Sequence, residues 1–446
     1  MSRHPVPDDE LRAALITLKR EKPSLGVAKI HTLLLETNLT WSVSEKRVRK
    51  ILQEEGLLVN GTANTLSENA NGGKEQNRAG STRVYPSSSL NKGLDVNKWS
   101  KKIEVRHFDA IKGKGLVATE KISQGEVIWK EDPFILAPEW EIYDLQVSSR
   151  ACAFCSTIIR DHSPLHLPCR ASTSSSSCPA IFCNRLCRMQ SDRVHPLLCP
   201  ARNPASVPLL AFARKTEWLA VHALAQCTSR LLLASQADDE SLNLDLQVVQ
   251  SLAVLGMEER FRVLIDQGVE PDRETWQKAF ELYLQTFKEP KTALEQKKLA
   301  KILRKPIPES LQKELFGYDA FLRGLGRISL NVEAHGGLYR LHSHLNHSCS
   351  PNTSVRHLDQ RNALSRITVV AKNDINPGDE LLISYTDPSR NFRERRRRLA
   401  EWGFGLCQCE RCLAEEEEAR ENGGAGGEDA EAANLADQLR AGLGLI

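Results

Sequence analysis

The chain has almost no excess of charge: 60 Lys and Arg stand against 57 Asp and Glu in 446 residues, a formal net charge of +3. So close a balance excludes the global basic field by which a protein grips a nucleic-acid backbone over its whole surface. Long hydrophobic runs are missing too. The most apolar stretch, PLLAFARKTEWLAVHALAQCTSRLLLASQ, is interrupted by Arg214, Lys215, Glu217, His222 and Arg230, so it predicts buried helix and not a membrane span. The opening residues, MSRHPVPDDE, lack the apolar core of a cleavable leader. The expected setting is nucleus or cytoplasm, with no membrane. In such a reducing setting the twelve cysteines are poor candidates for disulfides, and metal ligation is the leading reading.

What is present suggests several modules. The length suffices for two or three domains, each with its own core. Residues 8–58 predict three short helices: about Asp9–Glu21, ending before Pro23; Val27–Thr37; and Ser44–Glu55 with Ser44 as N-cap. Val48, Ile51 and Leu52 share one face of the third, with Lys46, Arg47, Arg49 and Lys50 mostly outward. This resembles a helix-turn-helix unit; a protein-docking module with a solvated basic face is an equal alternative, so nucleic acid as a partner stays open. Residues 60–98, rich in Asn, Gly and Ser, predict a disordered linker. After it, short alternating runs broken at Gly113, Gly115 and Gly125 predict strands joined by tight turns. Helical periodicity dominates 204–330. Strand-like runs return at RITVVAKNDI and DELLISY, SRNFRERRRRLAEWGF predicts a helix, and 416–446 is acidic, then Gly/Ala-rich.

The cysteines fall in two groups. Cys152 and Cys155 form a thiolate pair one turn apart, a spacing that lets both sulfurs reach one tetrahedral ion. Cys169, Cys178, Cys183, Cys187, His195 and Cys199 follow, and Cys407, Cys409 and Cys412 lie near the C-terminus. Cys227 stands alone in a helical segment, as an ordinary small core residue. Cys349, in RLHSHLNHSCSPNTSV, also stands alone. A lone Cys beside a His is, from the residues themselves, either a nucleophile or a metal ligand.

The block CPAIFCNRLCRMQSDRVHPLLC resembles the MYND-type zinc finger. That resemblance implies alternating ligation, with Cys152, Cys155, Cys183 and Cys187 on one ion and Cys169, Cys178, His195 and Cys199 on another. Here RASTSSSS separates Cys169 from Cys178, where the family keeps these ligands close, so His162 or His166 is an alternative ligand at the second site. Closed four-coordinate sites are structural, and in a module with little apolar core the ion supplies much of the folding energy.

Three further motifs occur in order: KGKGLVA (112–118), NHSCSPN (346–352) and GDELLISY (378–385), the last followed by FGLCQCERC. Together they resemble the SET-domain lysine methyltransferases of the branch with a MYND finger inside a split SET domain, including the fungal histone-methylating members with an N-terminal extension. The implied fold is α+β: a β-rich SET fold with a pseudoknot, an inserted finger, a helical insert and a small N-terminal helical module. The implied segments are SET N-terminal part 101–150, finger 152–199, helical insert 204–330, SET C-terminal part 331–388, post-SET 389–415 and tail 416–446.

The resemblance also assigns roles. Gly113, Lys114, Gly115, Asn346, His347, Tyr385 and Phe404 would contact S-adenosylmethionine, the glycines by letting the backbone approach it without a Cβ. Cys349 would join Cys407, Cys409 and Cys412 around a third structural zinc, a ligand and not a nucleophile. Tyr385 would be the catalytic residue, orienting a neutral lysine amine for in-line displacement. Asp379 and Glu380, adjacent on a strand, point to opposite faces and read as structural. The Arg393–Arg398 run reads as a nuclear-import patch, a substrate-attracting surface or a solvated basic face. The implied substrate is a protein with an exposed lysine, such as a histone tail and in particular that of the fourth core histone. The rival function is a non-catalytic adaptor that recruits partners through the finger and N-terminal module.

Overall fold

A computed structural model describes residues 4–21, 27–38, 40–54, 85–109, 111–159, 163–173, 177–265, 270–357 and 365–421. The chain divides into two compact units, Met1–Ser81 and Thr82–Ile446.

In the first unit the strand β1 (His4–Pro5) precedes helices α1 (Asp8–Glu21) and α2 (Val27–Thr37), then β2 (Trp41–Ser42) and α3 (Glu45–Glu54). The apolar residues recur at helical spacing: Leu11 and Leu15, Ile30 and Leu34, Val48 with Ile51 and Leu52. All are buried in one small core. The Arg47 amide donates to Ser44 Oγ at 3.3 Å, so the serine caps the third helix. The basic face is smaller than expected, because the Arg47 guanidinium turns back to donate to the Val6 carbonyl at 2.6 Å. The Arg49 side chain lies outside the described residues.

The second unit begins earlier than composition suggests. Residues 85–98, assigned to the linker by their polarity, carry defined structure: Ser87 exchanges backbone hydrogen bonds with Val254, and Leu94, Val96 and Trp99 pack on the strand core. Those three apolar side chains, sparse in sequence, suffice to dock the segment. The expected linker residues 60–84 lie outside the described residues.

Strands β3 (Ile103–His107) and β4 (Lys114–Ala118) pair antiparallel. Gly115 sits inside β4 and not at a break, and β4 is buried along its whole length instead of alternating. It is covered on both faces, as central strands are. Next come β5 (Val127–Glu131), β6 (Ile135–Leu136) and α4 (Trp140–Val147). The cysteine-rich segment holds β7 (Leu167–Pro168), β8 (Ile181–Phe182), α5 (Arg185–Ser191) and α6 (His195–Leu198). Helices α7 (Ser206–Lys215), α8 (Leu219–Ala237), α9 (Asp239–Ser251), α10 (Met257–Ile265), α11 (Arg273–Phe287), α12 (Ala293–Ile302), α13 (Glu309–Phe316) and α14 (Tyr318–Asn331) follow. They share one core around Trp276, Phe287 and Phe321. The apolar stretch of the sequence becomes α7 and α8, and no described helix is long and apolar enough to cross a membrane. The lone Cys227 lies in α8, buried.

The chain then returns to the strands with β9 (Gly337–Leu338), β10 (Asn346–His347), β11 (Thr353–Arg356), β12 (Ile367–Ala371) and β13 (Leu382–Ile383), and ends in α15 (Phe392–Glu401) and α16 (Glu410–Glu421). Residues 416–421, placed in the tail by composition, therefore continue a helix, and 422–446 lie outside the described residues. Strands β11, β12 and β5 form an antiparallel sheet in that order. Strand β6 pairs with β9, tying the returning chain to the segment before the cysteine-rich block.

Glu131, at the end of β5, fixes the turn that leads to β10. Its buried carboxylate accepts the successive backbone N–H groups of Arg340, Leu341 and His342 at 2.7, 2.9 and 3.0 Å. Burial holds its pKa above the usual carboxylate value, against the opposing pull of those donors.

Candidate active site and cysteine clusters

The site is built where three distant segments meet. Strand β10 runs parallel to β13, with Asn346 opposite Leu382 and His347 opposite Ile383. The residues just before β13 pair in turn with β4: Leu381 donates to the Leu116 carbonyl at 2.8 Å, and Ala118 to the Asp379 carbonyl at 2.9 Å. The Asn346 amide closes the junction, donating to the Lys114 carbonyl at 2.9 Å and to Glu380 Oε1 at 2.8 Å.

Glu380 therefore faces the junction, while Asp379 turns back to accept the Asn376 amide at 2.9 Å. The strand alternation is as the sequence implies, but only Asp379 stays local. Glu380, with 11% of its side chain exposed, also forms an ion pair with Lys112, whose ammonium lies 4.4 Å from the Phe108 ring centroid. Nothing in the sequence spacing pointed to Lys112, Phe108 or Glu380 as neighbours of Asn346.

Gly113 and Gly115 make this approach feasible. Gly113 has φ +70°, and a Cβ there would lie 2.5 Å from Ser88 Oγ. A Cβ at Gly115 would lie 2.5 Å from the Phe108 ring, 2.7 Å from Glu380 Oε1 and 2.9 Å from Asn346 Nδ2. The missing side chain at Gly115 is thus used by the protein's own polar groups. Between them, Lys114 sends its buried ammonium away to the Ser251 carbonyl at 2.6 Å. Burial pushes its pKa down to about 7.

His347 and Tyr385 are joined at the far end of β10. The Tyr385 amide donates to His347 Nδ1 at 2.9 Å, and burial brings the imidazole down to about 4, so it is a neutral acceptor. No carboxylate hydrogen-bonds this ring among the described residues. The Tyr385 residue is 40% exposed, yet its hydroxyl points inward and donates to the Leu345 carbonyl at 2.6 Å. Desolvation holds its pKa above the usual tyrosine value. The Phe404 ring lies 5.3 Å from that of Tyr385, and the Phe404 amide is held by the Leu399 carbonyl at the end of α15.

The other eleven cysteines form three groups, one of them completed by a histidine. Cys152, Cys155, Cys183 and Cys187 make the first; Cys169, Cys178, His195 and Cys199 the second; Cys349, Cys407, Cys409 and Cys412 the third. In each, the four ligand atoms lie within 4.8 Å of one another. Four sulfurs about 2.3 Å from a tetrahedral zinc stand about 3.8 Å apart. Measured separations bracket that value: 3.7 Å for Cys155–Cys183, 3.8 Å for Cys169–Cys199, 3.4 Å for Cys349–Cys412 and 4.0 Å for Cys349–Cys407. The donor sets fit zinc. His166 is occupied elsewhere, with its Nδ1 accepting the Ser163 amide, and His162 lies outside the described residues.

The junction also fits S-adenosylmethionine in kind, since an amino acid carrying a cation and a purine calls for an acid, a base and an aromatic face. Glu380, Lys112 and Phe108 meet at the junction and are groups of these kinds. The sequence profile of the SET domain matches residues 113–386, and the chain belongs to the SET-domain family. Its class is S-adenosylmethionine-dependent protein-lysine methyltransferase. Among curated relatives, the histone-lysine N-methyltransferase SET5 of Mycosarcoma maydis is 29% identical over 92% of this chain and 84% of its own. Its namesake from Yarrowia lipolytica is 28% identical over 93% of this chain and 84% of its own. That from Candida albicans is 26% identical, over 96% and 85%.

Proposed function

We propose that the protein methylates lysines of histone tails, that of the fourth core histone in particular, and acts in the nucleus. The observation that carries the proposal is the parallel pairing of β10 with β13, accompanied by the hydrogen bonds of Asn346 to the Lys114 carbonyl and of Tyr385 to His347. This crossing of remote segments supports the pseudoknot reading of the fold, and the paired four-ligand groups between Cys152 and Cys199 support a MYND-like finger. On the same reading the chain is built as 8–58, 101–150, 152–199, 204–330, 331–388 and 389–415, with linker and tail between and beyond.

S-adenosylmethionine supplies an electrophilic methyl group. Asn346, His347, Tyr385, Phe404 and the backbone of Gly113, Lys114 and Gly115 would hold it. Free lysine is protonated near pH 7, with a pKa of about 10.4, and an apolar surround lowers that value and presents the neutral amine. Tyr385 then orients the lone pair, so rate comes from alignment. Three zinc ions would be structural: each site offers four protein ligands and leaves no open position.

The test incubates purified protein with mixed core histones and isotopically labelled S-adenosylmethionine, followed by mass spectrometry of the tails. Label on lysines of the fourth core histone supports the proposal, and label confined to other proteins refutes the substrate. Failure of the protein to bind S-adenosylmethionine in a titration would favour the adaptor reading instead.

A further inference from the structure

Two of the five arginines in the Arg393–Arg398 run, Arg395 and Arg396, turn inward. Arg395 is fully buried (0% exposed). Its Nη2 lies 3.6 Å from Cys412 Sγ and donates to Glu415 Oε2 at 2.7 Å, while Nη1 donates to the Arg390 carbonyl. Arg396 donates from Nε to the Cys407 carbonyl at 3.0 Å and from Nη1 to Glu416 at 2.8 Å. From α16, Arg411 binds Glu415 through Nε at 2.7 Å and reaches the carbonyls of Cys349 and Pro388 through Nη1 at 3.1 and 2.8 Å. Three arginines thus touch three of the four residues of the third cysteine cluster, and two glutamates hold them in place.

A zinc ion with four thiolates carries two negative charges. Burying that unit is costly unless donors and a counter-charge accompany it. Hydrogen bonds to ligand atoms from a surrounding shell commonly govern metal affinity by 10–100-fold.

We propose that Arg395 is the counter-ion and positioning residue of this metal site, and that it bears on the methyl-transfer site by holding the cluster in place. α15 carries Arg395 on its interior and holds the Phe404 amide at its end, so the charge that secures the cysteines also sets the ring beside Tyr385. Arg395 is a positioning residue, its side chain buried against Cys412 and Glu415. The inference rests on the zinc reading of Cys349, Cys407, Cys409 and Cys412.

The experiment counts zinc in purified full-length protein and follows its release to a chelating dye, for wild type, Arg395→Gln, Arg395→Lys and Arg397→Gln. Expected are three zinc ions in wild type and Arg397→Gln. In Arg395→Gln one ion should be lost or released at least about tenfold faster, with partial rescue by lysine. The same variant should raise the KM for S-adenosylmethionine at least about tenfold and leave kcat within about threefold. Unchanged release from Arg395→Gln overturns the inference. A wild type whose zinc count is unaffected by Cys349→Ser overturns the zinc reading itself, and the two failures are thereby told apart. Should Arg395→Gln not fold, Glu415→Gln removes the carboxylate that holds Arg395 and Arg411, and the same acceleration of release, or its absence, decides.

Discussion

The hydroxyl of Tyr385 donates to the backbone carbonyl of Leu345 at 2.6 Å, across a sequence separation of 40 residues. That carbonyl immediately precedes Asn346, so one hydrogen bond fixes the tyrosine against the strand that carries the cofactor-side residues. Tyr385→Phe keeps the ring and its packing on Phe404 while deleting the bond. Methyl transfer to a histone peptide is expected to fall about 100-fold or more, because misplaced reacting groups lose rates of that order. The Kd for S-adenosylmethionine, read by calorimetry, should stay within about twofold. A variant with wild-type turnover would remove Tyr385 from the catalytic role.

Gly115→Ala tests how tightly the junction is closed. The new methyl would meet Phe108, Glu380 and Asn346 at 2.5–2.9 Å, and overpacking of this kind typically costs about 1–3 kcal/mol. A lower Tm is expected, together with at least tenfold weaker binding of S-adenosylmethionine. Retention of both properties would show that the glycine is incidental.

Lys114 gives stability a pH dependence. Its folded pKa of about 7 lies below the ordinary lysine value of 10.5. Between those limits the unfolded chain holds a proton that the folded chain does not, so stability rises with pH across roughly 7 to 10.5. Below about 7 the burial penalty is present in full. Lys114→Met should flatten this slope in urea titrations at a series of pH values. A parallel pH profile in the variant would contradict the assignment.

Metal removal should act locally on the cysteine-rich segment. Among the described residues the buried cluster there contains, apart from its cysteines, only Ala180, Phe182 and Ala201, with a few partly buried neighbours such as Phe154 and Ile159, too little apolar surface to hold a fold unaided. Chelator-treated protein should become susceptible to limited proteolysis between Cys152 and Cys199, detected by mass mapping of the cuts. An unchanged digestion pattern would count against bound zinc.

The helical segment is tied to the strands by Arg230, whose guanidinium is bidentate to Asp245 at 2.7 and 3.0 Å and also donates to the Phe134 carbonyl. Arg230→Met deprives the buried Asp245 of its bidentate partner and should cost about 3–5 kcal/mol. Adding Asp245→Leu should recover much of that loss in denaturant titrations. A double variant no better than the single one would show that the carboxylate is satisfied by other groups, Arg340 being the nearest at 3.6 Å.

Local pattern carried a good deal of this. The helical period of Val48, Ile51 and Leu52 marks the buried face that α3 presents, and interrupting charges identify α7 and α8 as core helices. Linker and tail were drawn too long because composition ignores what a few apolar anchors can do: Leu94, Val96 and Trp99 dock one segment, and paired charges extend α16 through the other. Glu380 is structural as its place in the strand implied, but its partners Asn346 and Lys112, like the Glu415 partner of Arg395, lie too far along the chain to be read from local pattern.

By itself the sequence determined which residues could do chemistry: the order of its cysteines, the glycines around Lys114, the Asn-His pair and the tyrosine closing a strand. Those are properties of residue type and spacing. Tertiary structure alone decided which charges face inward and what they hold. Asn346 finds the Lys114 carbonyl across 232 residues, and Arg395 loses its water to a cluster that joins Cys349 to cysteines 58 and more residues further on. Burial and partnership arise only when remote segments pack, and they turn an arginine-rich run into an internal counter-charge.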